Sequence, residues 1–303
     1  MNSAIITGAT GAIGHALIDE LINNNVKLLV LVREDSCSSR TIPRHPLLEL
    51  RSCSLEQLEN FENIKNESYD VFYHLAWSGT TGAARNDMQL QNLNVKYTLD
   101  AVELAEKFHC RRFVFAGSQA EYGRFSGKLG PETAVFPENG YGMAKLCAGQ
   151  MSRALCRQLG MEQIWFRVLS VYGPYDGAGS MVMSTINKLK QGIVPEFTKG
   201  EQIWDYLYSA DAGRAFYLAG EKGIDGKIYV LGSGQGRPLA EYIKIIRDAA
   251  AAGAELGLGK IPYAEKQVMH LEADISELQK DTGFKPEVSF NEGIQKILKS
   301  WKV

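Results

Sequence analysis

The segment Thr7-Gly8-Ala9-Thr10-Gly11-Ala12-Ile13-Gly14 constrains this chain more than any other stretch of it. It joins an apolar run, Ser3–Thr7, to a stretch whose pattern predicts a helix from about Ala12 to Asn23. Three glycines at a strand-to-helix junction have separate uses. Gly8 permits the tight turn, Gly11 lets the backbone approach a diphosphate, and Gly14 lets the helix pack closely on the strand. The first helical turn then offers unpaired N–H groups to the anion. Gly8, Thr10, Gly11, Ala12, Ile13 and Gly14 are therefore candidate cofactor-binding residues. Turns and close packing also call for glycine, but the strand–turn–helix context favours dinucleotide binding.

Further apolar runs at Leu28–Val32, Asp70–Ala76 and Arg112–Ala116 show no alternation, and helical patterns at about Asn92–Phe108 and Tyr141–Leu159 separate them. Such runs suit a parallel sheet covered on both faces. After Tyr172-Gly173-Pro174 the rhythm changes. A helix is expected at about Met181–Gln191, strand character returns at Lys227–Leu231, and helices follow near Pro238–Ala252 and Asn291–Trp301. A length of 303 residues suits roughly two lobes. The expected fold is α/β: a Rossmann-type doubly wound parallel sheet with a smaller, interleaved C-terminal lobe. Residues 1–170, with 203–231, would form the dinucleotide-binding domain, and residues 171–202 and 232–303 the substrate lobe.

Composition excludes several classes. Thirty-three basic against thirty-five acidic side chains leave a formal charge of −2, which gives no electrostatic ground for a nucleic-acid or membrane partner. Five scattered cysteines, with no CxxC and no Cys/His ligand spacing, indicate neither a disulfide framework nor a metal site. No stretch approaches the roughly 18 apolar residues of a membrane span, and MNSAIITGATG lacks a signal-peptide pattern. A soluble, cytoplasmic protein is expected.

The GxxGxxG spacing resembles the short-chain dehydrogenase/reductase superfamily. Its extended branch includes the NAD-dependent epimerase/dehydratase family, which acts largely on nucleotide sugars. Tyr69–Trp77 is similar to that family's HLAA segment, so Leu75 and Ala76 are expected beneath the cofactor. His74 is expected to be structural, and Trp77 to wall the substrate or simply pack. Leu31-Val32-Arg33 lacks the acidic residue that often binds the adenosine ribose. An Arg pairs with a ribose 2′-phosphate, and Ser36, Ser38 and Arg40 could add donors, so NADP is favoured over NAD. The competing reading of Arg33 is an exposed, solvated loop.

Phe113–Gly123 looks like the family's strand ending in SxxxYG, and Tyr141-Gly142-Met143-Ala144-Lys145 is its YxxxK. The i,i+4 spacing puts phenol and ammonium on one helix face, where the cation favours phenolate. The resemblance implies Ser118, Tyr141 and Lys145 as the catalytic trio. Tyr141 and Lys145 would also bind the cofactor, Lys145 through the nicotinamide ribose, and Ser118 would hydrogen-bond the reacting oxygen. The 4,6-dehydratases carry Asp-Glu after that serine, where this chain has Gln119-Ala120. The 3,5-epimerase/reductases place a Cys where Ala120 stands. What survives is hydride chemistry at a carbinol or ketone. Glu121 is expected to face away or pack locally.

Arg167–Pro174 is similar to the family's RxxNVYGP, with Ser170 replacing an Asn that touches substrate. Gln202–Asp211 is similar to the segment holding RDFVYVDD, with Trp204 replacing an Arg that binds substrate phosphate. Trp204 would stack on a base or sugar, or pack; Asp205 and Asp211 would brace loops. No Arg occurs in Pro262–Leu271, which leaves Lys266 as a substitute. Candidate substrate-binding residues are thus Trp77, Ser118, Gln119, Ser170 and Trp204. The resemblance implies NADP(H)-dependent reduction of a keto-sugar nucleotide, favoured as a 4-keto-6-deoxyhexose. A 4-epimerase, a non-catalytic NADP-binding redox sensor and a small-ketone reductase are the alternatives. A homodimer joined by the Asn92–Phe108 and Tyr141–Leu159 helices is also implied.

Overall fold

Continuous apolar runs build the centre of the molecule. The computed structural model describes residues 1–34 and 40–300; Ser36, Ser38 and Trp301, named above, lie outside the described residues. In chain order the elements are β1 (Ser3–Thr7), α1 (Ala12–Asn23), β2 (Lys27–Val32), β3 (Leu48–Ser52), β4 (Val71–His74), α2 (Met88–Lys107) and β5 (Arg112–Ser118). Then come β6 (Lys128–Leu129), α3 (Gly140–Gln158), β7 (Glu162–Val168), β8 (Ser170–Tyr172), α4 (Met181–Lys190), β9 (Ile203–Trp204), β10 (Tyr206–Tyr208) and α5 (Ser209–Lys222). The chain closes with β11 (Ile228–Leu231), β12 (Arg237–Pro238), α6 (Leu239–Ala250), β13 (Glu272–Ala273), α7 (Ser276–Thr282) and α8 (Phe290–Ser300).

Seven strands form one sheet in the order β11-β7-β5-β4-β1-β2-β3, with every neighbouring pair parallel. This is the doubly wound sheet that the apolar runs predict. Along β1 the side chains alternate between two cores. Ala4 and Ile6 meet Leu17, Ile18 and Leu21 of α1 and Ala215 and Phe216 of α5. Ile5 meets Ala101 and Val102 of α2 and Ala144 and Ala148 of α3. Both faces are therefore apolar, which is why the strand lacks polar alternation. Chain order reverses between β1 and β4, so the carboxyl ends of these strands open a crevice of the kind where open α/β sheets bind ligands.

A third core gathers Val182 and Ile186 of α4, Ile246 of α6 and Ile294 and Ile297 of α8 around Tyr172 and Tyr208. Short pairs link it to the sheet. β8 runs parallel to β10, and β9 antiparallel to β12, which brings Ser170 beside Trp204.

Sequence reading passed over β3, β7 and α5, each for a local reason. β3 is a sheet edge whose Glu49 and Arg51 pair with each other. β7 is interrupted by two buried polar residues: Gln163, bonded to Gly149 and Ser152, and Arg167, paired with Glu121. α5 is rich in small residues because it lies tightly against α1. α2 begins earlier than expected, at Met88, because the Asp87 carboxylate accepts the Leu90 N–H at 3.1 Å and caps it. No helix among the described residues is long and apolar enough to cross a membrane.

Candidate active site

The turn after β1 combines two demands of packing with one opening. Gly8 has φ +76°, and a Cβ there would lie 2.5 Å from Ala76 N and 2.6 Å from Leu75 C. A Cβ on Gly14 would lie 2.4 Å from Gly8 O. Gly11 differs: a Cβ there would meet nothing nearer than Gly8 O at 4.0 Å. Gly11 is the N-cap of α1, yet no side chain caps this helix and no acidic residue stands in its first turn. The N-terminal partial positive charge therefore faces the crevice unneutralised.

A cleft of about 440 Å³ begins at this turn. Gly8, Thr10, Arg33 and Ala76, candidate cofactor-binding residues, are on its walls, together with Trp77, a candidate for the substrate. Ala12 and Ile13 form the adjacent helical turn, while Gly14 and the Leu75 backbone support it from behind. Sequence reasoning missed the opposite wall, Cys53-Ser54-Leu55-Glu56, which follows the overlooked edge strand. Glu56 is held below the usual carboxylate range by its own backbone N–H and by Ser54, with Arg33 adding its charge. The rim near Arg33 thus carries both signs. The uncapped helix and open glycine turn fit a dinucleotide diphosphate. His74 is sealed beneath, bonded to Thr7 Oγ1 at 2.9 Å, and burial pushes it down to about 3, so it is neutral.

Ser118 ends β5 and begins a tight turn over residues 119–121. Its Oγ accepts the Ala120 N–H at 3.2 Å, and its N–H donates to Glu121 Oε1 at 2.7 Å, a reciprocal capping box. Glu121 packs locally, in a buried ion pair. It is fully buried, and its Oε2 accepts from Arg167 Nε at 2.8 Å. Burial pushes its carboxyl up to about 7 against the pull of Arg167. Gln119 sits at the start of the turn and is half-buried.

Asn139 caps α3 by accepting the Gly142 N–H at 2.8 Å, which fixes Tyr141 in the first turn and Lys145 one turn later. α3 packs on the turn after Ser118, which brings Tyr141 beside Ser118. Burial pushes the Tyr141 phenol up, while a hydrogen bond with Ser118 and the charge of Arg85 pull it down. The Arg85 guanidinium carbon lies 4.2 Å from the Tyr141 ring centroid. No motif pointed to Arg85. It comes from the strap between β4 and α2, remote in sequence from Tyr141.

Lys145 lies one turn further along α3 and is buried. It donates to Ala116 O at 2.6 Å, stands 3.8 Å from the Trp77 ring centroid and is 5.9 Å from that of Tyr141. Burial pushes its ammonium down to about 7. Trp77 covers it, held by donation of the indole Nε1–H to Gln91 Oε1 at 2.9 Å.

On the far side, the two departures from the family pattern meet: Trp204 Nε1 donates to Ser170 Oγ at 2.8 Å. Asp205 braces loops as expected, accepting N–H bonds from Ser233, Gly234 and Ala273. Asp211 does the same for Glu287 and Val288.

The sequence model of the NAD dependent epimerase/dehydratase family matches residues 4–232. The chain is 25% identical over 301 residues to a putative UDP-glucose 4-epimerase of Methanocaldococcus jannaschii, covering 97% of this chain and 96% of that protein. It is 24% identical over 309 residues to dTDP-4-dehydro-6-deoxyglucose reductase of Escherichia coli, covering 99% and 97%. In fold it is similar to a UDP-glucose 4-epimerase from Thermotoga maritima solved with UDP-glucose, at a TM-score of 0.87, 23% identity and coverage of 99% and 98%.

Proposed function

Because this chain belongs to the NAD dependent epimerase/dehydratase family, enzymes that work with a nicotinamide dinucleotide, we propose that it reduces a keto-sugar nucleotide with NADPH. The favoured substrate is a 4-keto-6-deoxyhexose. One observation carries the choice of chemistry. Gln119 and Ala120 bring no titratable group beside Ser118, and the neighbouring carboxylate, Glu121, is fully buried and engaged with Arg167. Elimination and carbanion epimerisation need an accessible acid–base pair; hydride chemistry needs one proton donor at the reacting oxygen.

A nicotinamide dinucleotide held in the cleft supplies or accepts the hydride. Thr10 and the N–H groups of Ala12 and Ile13 would hold its diphosphate, with Gly11 leaving room. Arg33 would favour the 2′-phosphate of NADP. Tyr141 donates its proton to the carbonyl oxygen as that carbon is reduced. Ser118 hydrogen-bonds the same oxygen and fixes its distance from the phenol. Trp77, Gln119, Ser170 and Trp204 would line the sugar and its nucleotide, with the Trp204–Ser170 bond orienting the indole. The lobe division at residues 170/171, 202/203 and 231/232 belongs to the same proposal. So does a homodimer, supported by Met143, Cys147 and Met151, which leave an exposed stripe at helical spacing on α3.

The second reading is a 4-epimerase, favoured by the end-to-end similarity to a putative UDP-glucose 4-epimerase. Nucleotide sugars incubated with the enzyme and either cofactor separate the two. Stoichiometric NADPH oxidation is expected; interconversion of sugars with no net oxidation would establish the epimerase instead. Turnover abolished by Tyr141→Phe would exclude a non-catalytic redox sensor. A preference of the unmodified protein for NAD, unaltered in Arg33→Asp, would refute the role of Arg33.

A further inference from the structure

Lys145 can assist the ionisation of Tyr141 only while it is charged, and its surroundings work against that. The side chain is buried, and burial pushes its ammonium down to about 7. Among the described residues it has one hydrogen bond, to Ala116 O at 2.6 Å. The nearby carboxylate of Glu121 is committed to Arg167.

What faces the ammonium is aromatic. Lys145 Nζ stands 3.8 Å from the ring centroid of Trp77, 5.0 Å from that of Phe115 and 5.9 Å from that of Tyr141. An indole attracts a cation to its face more strongly than a phenyl ring does, and more so where water is excluded. Trp77 is fixed in this position. Its Nε1–H donates to Gln91 Oε1 at 2.9 Å, and the buried Gln91 is itself held, its Nε2 donating to Gly79 O and Ala84 O at 2.9 Å each. The indole also stands nearly perpendicular to the Tyr141 ring, with 6.1 Å between centroids. It is therefore adjacent to both members of the pair.

We propose that Trp77 is a positioning residue, whose indole, with Phe115 behind it, holds the Lys145 ammonium charged and in place beside Tyr141. The inference rests on the reading of Tyr141 as the acid–base group, and it gives Trp77 a role besides lining the cleft. Lys145 acts on the phenol; Trp77 acts through Lys145. The other groups around the ammonium leave room for this role. Glu121, from the turn after β5, favours the charged form but is shared with Arg167. His74 of β4 is neutral and supplies no counter-charge. Arg85 lies on the Tyr141 ring and adds a cation, not an anion.

The test is an NMR titration of the lysine Nζ groups, with Lys145 assigned through Lys145→Met, alongside the pH dependence of kcat/KM. Trp77→Leu should lower the Lys145 pKa by about one pH unit. Activity that needs the ammonium is present below this pKa and lost above it. The variant should therefore lose roughly fivefold in kcat/KM near pH 7 and little at pH 5. Trp77→Phe, which keeps an aromatic face, should recover most of the shift. Fluorinated tryptophans placed at position 77 withdraw charge from the ring face and nearly keep its shape, so each added fluorine should lower the Lys145 pKa further. A Lys145 pKa that is unmoved by fluorination overturns the proposal. So does one that rises in Trp77→Leu, since the indole would then act only by keeping water from the ammonium. An equal loss of kcat/KM at every pH would make Trp77 a packing residue and overturn it too. Full turnover by Tyr141→Phe would instead overturn the acid–base reading beneath, whatever the Lys145 titration shows.

Discussion

Gly11→Ala and Gly14→Ala stand three residues apart on one turn and should fail in different ways. In Gly14→Ala the new Cβ would lie 2.4 Å from Gly8 O and 2.6 Å from Ala9 Cα, so backbone must move. Because the clash is with backbone, the upper end of the usual overpacking cost applies, roughly 3 kcal/mol, and the better helix propensity of Ala returns up to ~1 kcal/mol, leaving a net loss of roughly 2–3 kcal/mol. In Gly11→Ala the nearest protein atom is 4.0 Å away and φ is −87°, which Ala adopts freely. The weaker N-cap costs about 0.5–1 kcal/mol, and the stiffer unfolded chain offsets it by about 0.4–1 kcal/mol, so stability should scarcely change. The methyl group would instead occupy the space through which a diphosphate reaches the helix N-terminus. A tenfold or greater loss of NADPH affinity, about 1.4 kcal/mol, is expected. Urea unfolding gives the first quantity and fluorescence titration with NADPH the second. A Gly11→Ala variant that binds NADPH normally, or one as destabilised as Gly14→Ala, would refute the separation of packing from binding at this turn.

Three other outcomes follow from the same geometry. Glu121→Gln leaves Arg167 buried without its counter-charge and should cost about 3–5 kcal/mol in urea unfolding; a loss under 1 kcal/mol would mean that water or another group already compensates Arg167. Lys145 titrates lower in the folded chain than in the unfolded one, so the folded state pays for its charge below about pH 7 and is relieved as pH rises towards 10.5. Lys145→Met should therefore stabilise the fold at pH 6 and do so less at pH 10, and a gain independent of pH would contradict this. Met151→Lys should turn the proposed dimer into a monomer by light scattering; an unmodified protein that is monomeric at micromolar concentration and fully active would refute the proposed interface.

Much of the site could be read along the chain because its parts are local. The turn from Gly8 to Gly14, the Ser118 end of β5 and the i,i+4 spacing of Tyr141 and Lys145 each lie within one short stretch of chain. What could not be read depends on contacts between distant segments. Arg85 belongs to no motif and acquires meaning only when Asn86 and Gly140 bond. Trp204 and Ser170 were each visible as departures, but their mutual bond depends on the pairing of short strands from separate parts of the chain. The polarity of Gln163 and Arg167 hid a central strand, since a sequence pattern counts buried polar groups as exposed unless their partners are known.

β11 closes the outer edge of the sheet, pairing Ile228 to Leu231 with Trp165 to Val168 of β7. The whole of α4 and α5 is made between the two strands. During synthesis, β7 therefore waits with its outward amides and carbonyls unpaired, a template for any other extended chain. Its Ile164, Trp165 and Phe166 are fully enclosed in the finished molecule, so the waiting state is also greasy. Chains cut short before Ile228 should stick to one another rather than yield a smaller soluble domain. A tolerated break in the polypeptide is better sought in the exposed Gly177–Gly179 turn, with both pieces made together, since the later piece brings the strand that seals the earlier one.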